Sequence, residues 1–484
     1  MIKLIKNELS KIFLRKNVYI MIAVVISFIF YSNYILRDKN LVNDPYASNL
    51  PDIKIFEESL AKINPDTAPE QYIRMKNSLD SVKLVASYSE KTWQRNILTT
   101  GIHFKYITTI NQYAFGLEKD EEKMLEAIKE YDTFVAKLDN NNWKGIINDE
   151  ISLQEKNLKE LRDSLLTADI ESVDKIKHNI ASLEITIEAY NIRLDKEINY
   201  TSDYLDKAVI SYIKYSQSIV NTTPDTFRNE YNYKQQLQSY VEEVTISKYI
   251  IDNDIDTLSK NFHPSPSATI YEQYDIFILI LILLISGGIV SEEFSKGTIK
   301  LLLVRPHSRI KILLSKYITA LLMIVFSYFV VAIAQVAIEA VLYGTINFST
   351  ELAVYNFNTY TVNTYNIFLY MLIDFIHFIP VYIILTTLSF AISTVFTSTT
   401  LGITLPVIGM LGGTAINYTV MRRQMISLKY FITLNWDFPI YINGKLPQLE
   451  GMTWQFSLFV TLVYLAALLL VTFIEFRRKN ITNI

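Results

Sequence analysis

The sequence predicts an all-α polytopic membrane protein with six transmembrane helices, an N-terminal interfacial helix and a large, mainly helical extracytoplasmic domain containing a helical hairpin. Three observations carry this. Half of the 484 residues are hydrophobic and the mean hydropathy is +0.19, more apolar than an ordinary soluble domain. Six apolar runs stand out along the chain. Charge is also separated: residues 37–275 hold 28 Lys/Arg and 40 Asp/Glu, a net of −12, so the remainder carries +9 within an overall −3. Three blocks follow: 1–36, an interfacial helix and first span; 37–275, the extracytoplasmic domain; and 276–484, a five-span bundle.

At the N-terminus, Ile2, Ile5, Leu9 and Ile12 recur at helical spacing among Lys3, Lys6, Lys11, Arg15 and Lys16. This is the pattern of a basic amphipathic helix lying on a membrane surface. The first apolar run, 18–36, is near the ~20 residues that cross a hydrocarbon core. It is long and lacks a small-residue cleavage site, which favours a retained span over a signal peptide. Further runs occupy 276–290, 317–344, 367–390, 401–416 and 456–474. Lys/Arg number five in 1–17, six in 291–316 and three in 475–484, against none in 345–366 and four in 417–455. That bias places both termini and the 291–316 insert in the cytoplasm.

Arg422, Arg423 and Lys429 dissent from this orientation. A re-entrant hairpin at 401–416, a run holding Gly402, Pro406, Gly409, Gly412 and Gly413, would return them to the inside. Trp436, Tyr441 and Trp454 flank the last run as an interfacial aromatic belt does.

Within 37–275 glycine is confined to Gly101, Gly116 and Gly145, which favours helix. Ile176, Ile180, Leu183, Ile187, Tyr190 and Leu194 alternate in steps of four and three, a heptad seam. Ile151, Leu158, Leu161 and Leu165 precede them at matching spacing, and the intervening TADIES can turn, giving an antiparallel hairpin. The seam packs the domain's own core or serves as a docking surface. The acidic balance would suit cationic peptides, although charged helix faces are commonly just solvated.

The insert 291–316 interrupts two apolar runs with six basic residues and the pair Glu292 and Glu293. Gly297 suits a helix end, Thr298 and Ser308 suit helix starts, and Pro306 suits a stop, so the insert reads as a short helix across the membrane surface. Its Lys and Arg residues, Arg305 among them, could simply hold anionic lipid headgroups. That leaves the paired glutamates unexplained.

The stretch SEEFSKGTIKLLLVRPHSRIKILLSKY resembles the cytoplasmic segment of permease subunits of type-2 ABC transporters, bacterial exporters of the drug and antimicrobial-peptide type. The matching residues are the acidic pair Glu292 and Glu293, the Gly297-Thr298 step, Leu301 to Leu303, Pro306, Ser308, Arg309 and Lys316. The six-run layout, the N-terminal surface helix and the C-terminal FRRKNI extend the likeness to about half the chain. The large 37–275 insertion departs from family members with a small loop there.

The resemblance implies an ATPase-coupling segment of Glu292, Glu293, Gly297, Thr298, Arg305, Pro306 and Arg309 that docks on separate ATP-hydrolysing subunits. It implies two such ABC ATPase subunits, which bind ATP and Mg, and a second permease copy or similar permease, all in lipid. This chain would then be no enzyme, would bind no cofactor and no nucleic acid, and would export an amphipathic or hydrophobic substrate across a bacterial cytoplasmic membrane. The alternative function is a non-transporting scaffold or sensor that uses its outside hairpin to bind a surface partner.

Other signals are weaker. No GxxxxGKS or GxxxxGKT occurs, so the chain itself lacks the phosphate-cradling loop. ISGGI at 285–289 lies in an apolar run and reads as small-residue helix packing. The chain has no cysteine and its five histidines lack metal-ligand spacing, which argues against a zinc site. Asp374 and His377, three apart in the fourth run, form a candidate intramembrane polar pair, either on the export path or satisfying each other between helices.

Overall fold

The computed structural model describes residues 1–40, 45–46, 52–117, 119–258, 274–299, 307–343 and 351–479. It divides into two compact units. The first comprises Met1–Leu41, Thr223–Ser239 and Thr257–Ile484, the second Val42–Thr222 and Tyr240–Asp256.

In the first unit the amphipathic N-terminal segment forms helix Ile2–Phe13, which buries Glu8 and Ile12. Among the described residues, six helices are long and apolar enough to cross a membrane: Val18–Ile35, Asp275–Ser295, Arg309–Leu342, Ile367–Phe396, Thr399–Arg423 and Trp454–Arg478. These are called the first to sixth spans. The helix containing the third span covers 35 residues, Arg309–Tyr343. At ~1.5 Å per residue it is about 50 Å long, more than the ~30 Å hydrocarbon core. One core cluster gathers Val25, Ile29, Ile278, Leu281, Tyr328, Phe375, Tyr382 and Leu385 from the first four spans. Leucine, isoleucine and phenylalanine on the outer faces of the fifth and sixth spans, such as Ile408, Leu411, Phe459 and Leu470, are exposed, as helices immersed in lipid require.

The fifth span is one continuous helix, not the re-entrant hairpin that its glycines and proline also permit. Its N-terminus is capped by Ser398 Oγ, 3.3 Å from the Leu401 N–H, after Thr397 turns the chain at φ +51. Pro406 has no N–H for the carbonyl four residues back, which is that of Gly402. Ser389 of the fourth span donates to that carbonyl at 2.6 Å, so the helix passes the proline without an orphaned acceptor. Arg422 and Arg423 therefore lie at the end opposite Thr399. There the Arg422 carbonyl accepts from Asn232 Nδ2 at 3.0 Å.

The glycines of ISGGI pack helices together. A Cβ on Gly287 would meet Ile403 Cγ1 at 2.8 Å and the Gly402 backbone at 3.2 Å, so the second and fifth spans approach to backbone contact. Within the second span the helix Tyr274–Gly288 breaks before a short helix Ser291–Ser295, and two hydroxyls satisfy the Gly287 carbonyl at the break: Ser393 donates to it at 2.7 Å and Ser291 does so at 2.8 Å.

The 345–366 loop gave no strand signal in the sequence, yet it contributes a hairpin of strands Glu351–Asn356 and Thr361–Asn366, antiparallel, with Thr257–Leu258 added in parallel. The hairpin is tied to the stretch before the sixth span through the Phe357 N–H, which donates to the Asn443 carbonyl at 2.8 Å. Residues 223–239 also join this end of the first unit. Tyr231 and Gln235 both donate to the Pro447 carbonyl, at 2.8 and 2.6 Å.

The second unit is helical throughout its described residues. Helices Trp143–Leu165 and Ile170–Asp195 form the antiparallel hairpin expected from the heptad seam. Asp169 caps the second arm, accepting from the Ser172 N–H at 2.8 Å. A core of Ile97, Leu98, Phe134, Leu138, Ile146, Ile147 and Tyr200 receives one side of the hairpin. Tyr190 and Leu194 of the seam pack against it, so at least this part of the seam is internal packing.

Candidate coupling site at the basic end

Three basic stretches that are far apart in sequence meet in space. Lys11 on the N-terminal helix contacts Glu293 at the end of the second span at 2.8 Å. Glu293 lies 2.7 Å from Lys316 of the third span. Lys316 in turn lies 2.6 Å from Glu8 of the N-terminal helix, and Glu8 closes the ring with Lys11 at 2.7 Å. Two lysines and two glutamates thus alternate around a neutral four-charge box. Lys316 is 0 % exposed, and its ammonium also lies 3.5 Å from the Ile289 carbonyl.

The box sits against an apolar cluster of Ile12, Val18, Ile289, Val290, Phe294, Leu313, Tyr317, Phe390 and Phe476, a low-dielectric setting in which each charge needs its partners. Burial alone would raise the Glu8 carboxyl. The charges and hydrogen bonds of Lys316 and Lys11 outweigh it and hold Glu8 below the usual glutamate range. For Lys11, burial pulls downward, but the hydrogen bonds it donates to Glu293 and Glu8 hold its ammonium above the usual range.

A second set of contacts surrounds the box. Glu292 pairs with Arg15 at 3.1 Å and with Lys296 at 2.9 Å. Gly297 follows with φ +69, a conformation that costs glycine least, and the Thr298 hydroxyl donates back to the Glu293 carbonyl at 3.4 Å. Ser308 caps the third-span helix as its position in the sequence suggests, accepting from the Lys311 N–H at 3.3 Å. Arg309 donates to the carbonyls of Arg477 and Lys479, at 3.3 and 3.0 Å. Lys479 then donates to the carbonyls of Thr394 and Val395, at 3.0 and 2.8 Å, satisfying the C-terminal end of the fourth span as a cation there should.

Of the residues proposed from the resemblance, Glu292, Glu293, Gly297, Thr298 and Arg309 share this end of the bundle. The two glutamates and Arg309 are engaged with the chain's own segments, while Gly297 and Thr298 are exposed. Arg305 and Pro306 lie outside the described residues. Glu8, Arg15 and Lys479 are the partners that the sequence reading missed. One signal for Glu8 was present: it stands on the apolar stripe between Ile5 and Ile12, where an unpaired carboxylate would be out of place.

Asp374 is buried and His377 half-buried in the fourth span. Across from them the structure adds Asp275, which accepts from the Tyr382 hydroxyl within electrostatic reach of Asp374.

"Uncharacterized protein YhcI" of Bacillus subtilis (strain 168) is 27 % identical over 244 residues, which cover 50 % of this chain and 77 % of that relative. No solved structure matches. The chain is a polytopic membrane protein with six candidate spans, and its residues 255–482 match the model of a family described as "Protein of unknown function (DUF2705)".

Proposed function

We propose that this chain is the membrane-spanning permease subunit of an ATP-binding cassette exporter. ATP and Mg are bound by two separate ATPase subunits, a second permease copy or similar permease completes the pathway, and the cargo is an amphipathic or hydrophobic molecule such as an antimicrobial peptide or drug. The basic end is cytoplasmic in this reading.

The observation that supports it is the four-charge box. A partner that pushes on the exposed 296–298 turn acts on a block in which the surface helix, the end of the second span and the start of the third are joined by ions. Closure of the ATPase subunits then tilts spans instead of bending a loop, provided the partner binds the two arrangements with different affinity. Glu292 and Glu293 act as positioning residues that hold the bridge, and the exposed Thr298 side offers the docking face.

Because the chain has no cysteine, Thr298→Cys supplies a unique thiol for the test. The expected results are a stoichiometric ATPase retained on gentle extraction, a cross-link from residue 298 to it, and no labelling of Thr298→Cys from outside intact cells. Lys316→Met should leave the ATPase bound but lower cargo-dependent ATP hydrolysis. Labelling from outside, or a chain that purifies without an ATPase, sinks the proposal and favours the scaffold or sensor.

A further inference from the structure

A serine or threonine hydroxyl inside a membrane-spanning helix ordinarily bonds back to the carbonyl four residues before it. Thr387 and Thr394 of the fourth span do so, to Ile383 and Phe390, both at 2.7 Å. Ser393 of the same span, 0 % exposed, reaches across to the second span instead. Its Oγ accepts from the Ser291 N–H at 3.2 Å and donates to the Gly287 carbonyl at 2.7 Å. Gly287 and Ser291 are 4 residues apart, the pair whose C=O and N–H a continuous α-helix joins directly. A hydroxyl of one span thus bridges a rung in the ladder of another, an arrangement that kinks helices.

The surroundings fit a joint. The second span is interrupted here, between helices Tyr274–Gly288 and Ser291–Ser295. The turn after the break is tight, the Glu293 N–H donating to the Val290 carbonyl at 3.1 Å. Gly402 of the fifth span backs the bridge: a Cβ there would meet Ser393 Cβ at 3.1 Å and the Gly287 carbonyl oxygen at 3.2 Å. Ser291 Oγ lies 2.6 Å from Thr399 Oγ1 at the start of that span. The pieces on either side of the break are held by different neighbours. Before it, Ile278, Leu281 and Ile282 belong to the core of the first four spans. After it, Glu293 belongs to the four-charge box and Phe294 packs edge-on to Phe476 of the sixth span.

We propose that Ser393 is a removable wedge that gives the second span two arrangements. In one the span is broken, with the hydroxyl bridging Ser291 and Gly287. In the other it is continuous, with the Ser291 N–H bonded to the Gly287 carbonyl and Ser393 turned back to the Ser389 carbonyl of its own helix. The three groups at the bridge have partners in both, so neither arrangement strands a buried donor or acceptor, and a modest bias tips the balance. Passing between them changes the angle at which Glu292, Glu293 and the 296–298 turn join the second span. For its purpose the wedge rests on the coupling role proposed above; the two arrangements are a property of the chain alone.

The test uses the full chain in phospholipid nanodiscs. Because it has no cysteine, the exposed Ile276 can be changed to Cys together with either of two exposed references, Phe459 or Ile333. Each pair is spin-labelled and its separation read by pulsed electron–electron resonance. The arm from residue 276 to the break is about 18 Å long, so straightening a bend of about 20° displaces its end by about 6 Å. Ser393→Ala, which removes the bridge, should therefore shift the main distance to at least one reference by up to about 6 Å. Ser291→Pro has no N–H and its ring excludes a carbonyl four residues back, so it cannot form the continuous helix. Added to Ser393→Ala, it should restore the wild-type distance. Distances to both references unchanged by Ser393→Ala, or a shift that survives the added Ser291→Pro, overturn the proposal. If the proline variant does not fold, Ser393→Ala alone decides, because it removes a single oxygen. None of these outcomes bears on whether an ATPase copurifies, so the wedge and the exporter reading fail separately.

Discussion

Two buried ionic sites, one in each unit, use the same chemistry for different ends. The box of Glu8, Lys11, Glu293 and Lys316 links residues 308 positions apart, whereas Arg193 and Asp206 are separated by 13. In the box each ion has two opposite partners, at least one of them on another segment. In the second unit one ion pair is finished by Ser202 and the Tyr200 ring nearby and by Tyr46, 160 positions from Asp206, and the Arg193 Nε–H has no partner among the described residues. Buried ion pairs seldom stabilise a fold more than apolar packing would, but breaking one leaves a stranded charge. The box therefore specifies which distant segments meet, and the pair fixes the junction of two consecutive helices, Ile170–Asp195 and Tyr204–Asn221.

The largest effect should come from Lys316→Met, which leaves Glu8 and Glu293 facing each other with Lys11 as their only cation within the box. A loss of about 3–5 kcal/mol is expected, read as a fall in the unfolding midpoint by tryptophan fluorescence in detergent. Adding Glu8→Gln should recover part of that loss; strict additivity of the two changes would show that the box is not a coupled unit.

Arg193→Met comes next. It strands Asp206 in a neighbourhood that retains Tyr46 and Ser202 as donors, so the loss should be smaller, about 2–3 kcal/mol. Its effect should be confined to protection of second-unit amides in hydrogen exchange. Equal loss of protection in the membrane helices would break the contrast between a local pair and a connecting box.

A third prediction uses pH. His103 is buried with Nε2 2.6 Å from Ser81 Oγ, and burial pushes its imidazole down to about 4 from the ordinary 6.5. The unfolded chain takes up the proton first as pH falls, so stability is unaffected above about 6.5 and is lost progressively toward about 4, by about 3 kcal/mol. His103→Gln should flatten this dependence in the second unit; a variant with the wild-type pH profile would assign it to other groups.

The smallest effect belongs to Ser389→Ala. It removes the donor to the Gly402 carbonyl that Pro406 leaves open and should cost about 1–2 kcal/mol. Pro406→Ala should make the same change nearly neutral, because the helix then supplies its own N–H. A cost unaltered by Pro406→Ala would separate the serine from the proline.

Much of the architecture was readable along the chain because each signal is local. Apolar runs of sufficient length announce spans, and the steps of four and three through Ile176, Ile180, Leu183 and Ile187 announce the hairpin. The strands at 351–366 were not legible. Their alternation is weak and their pairing depends on partners outside the hairpin, Asn443 and Thr257–Leu258 among them. Residues 223–239 carry no local mark that sets them apart from the rest of 37–275, and they group with the first unit through side chains that reach Pro447 and Arg422. At the coupling site the motif pointed to Glu292 and Glu293 but not to their partners, since nothing in a linear pattern says that Glu8 and Arg15 will lie beside them.

By itself the sequence determined the number of spans, the side on which positive charge gathers and the helical character of the large acidic segment, because hydropathy, charge bias and periodicity are properties of neighbouring residues. Only the tertiary structure decided that Glu293 faces inward to Lys11 and Lys316, that Ser389 lets a helix run through Pro406, and that Arg193 is buried between Asp206 and the Tyr200 ring. Each of those is a contact between distant segments, and its free energy exists only once the chain has closed around it.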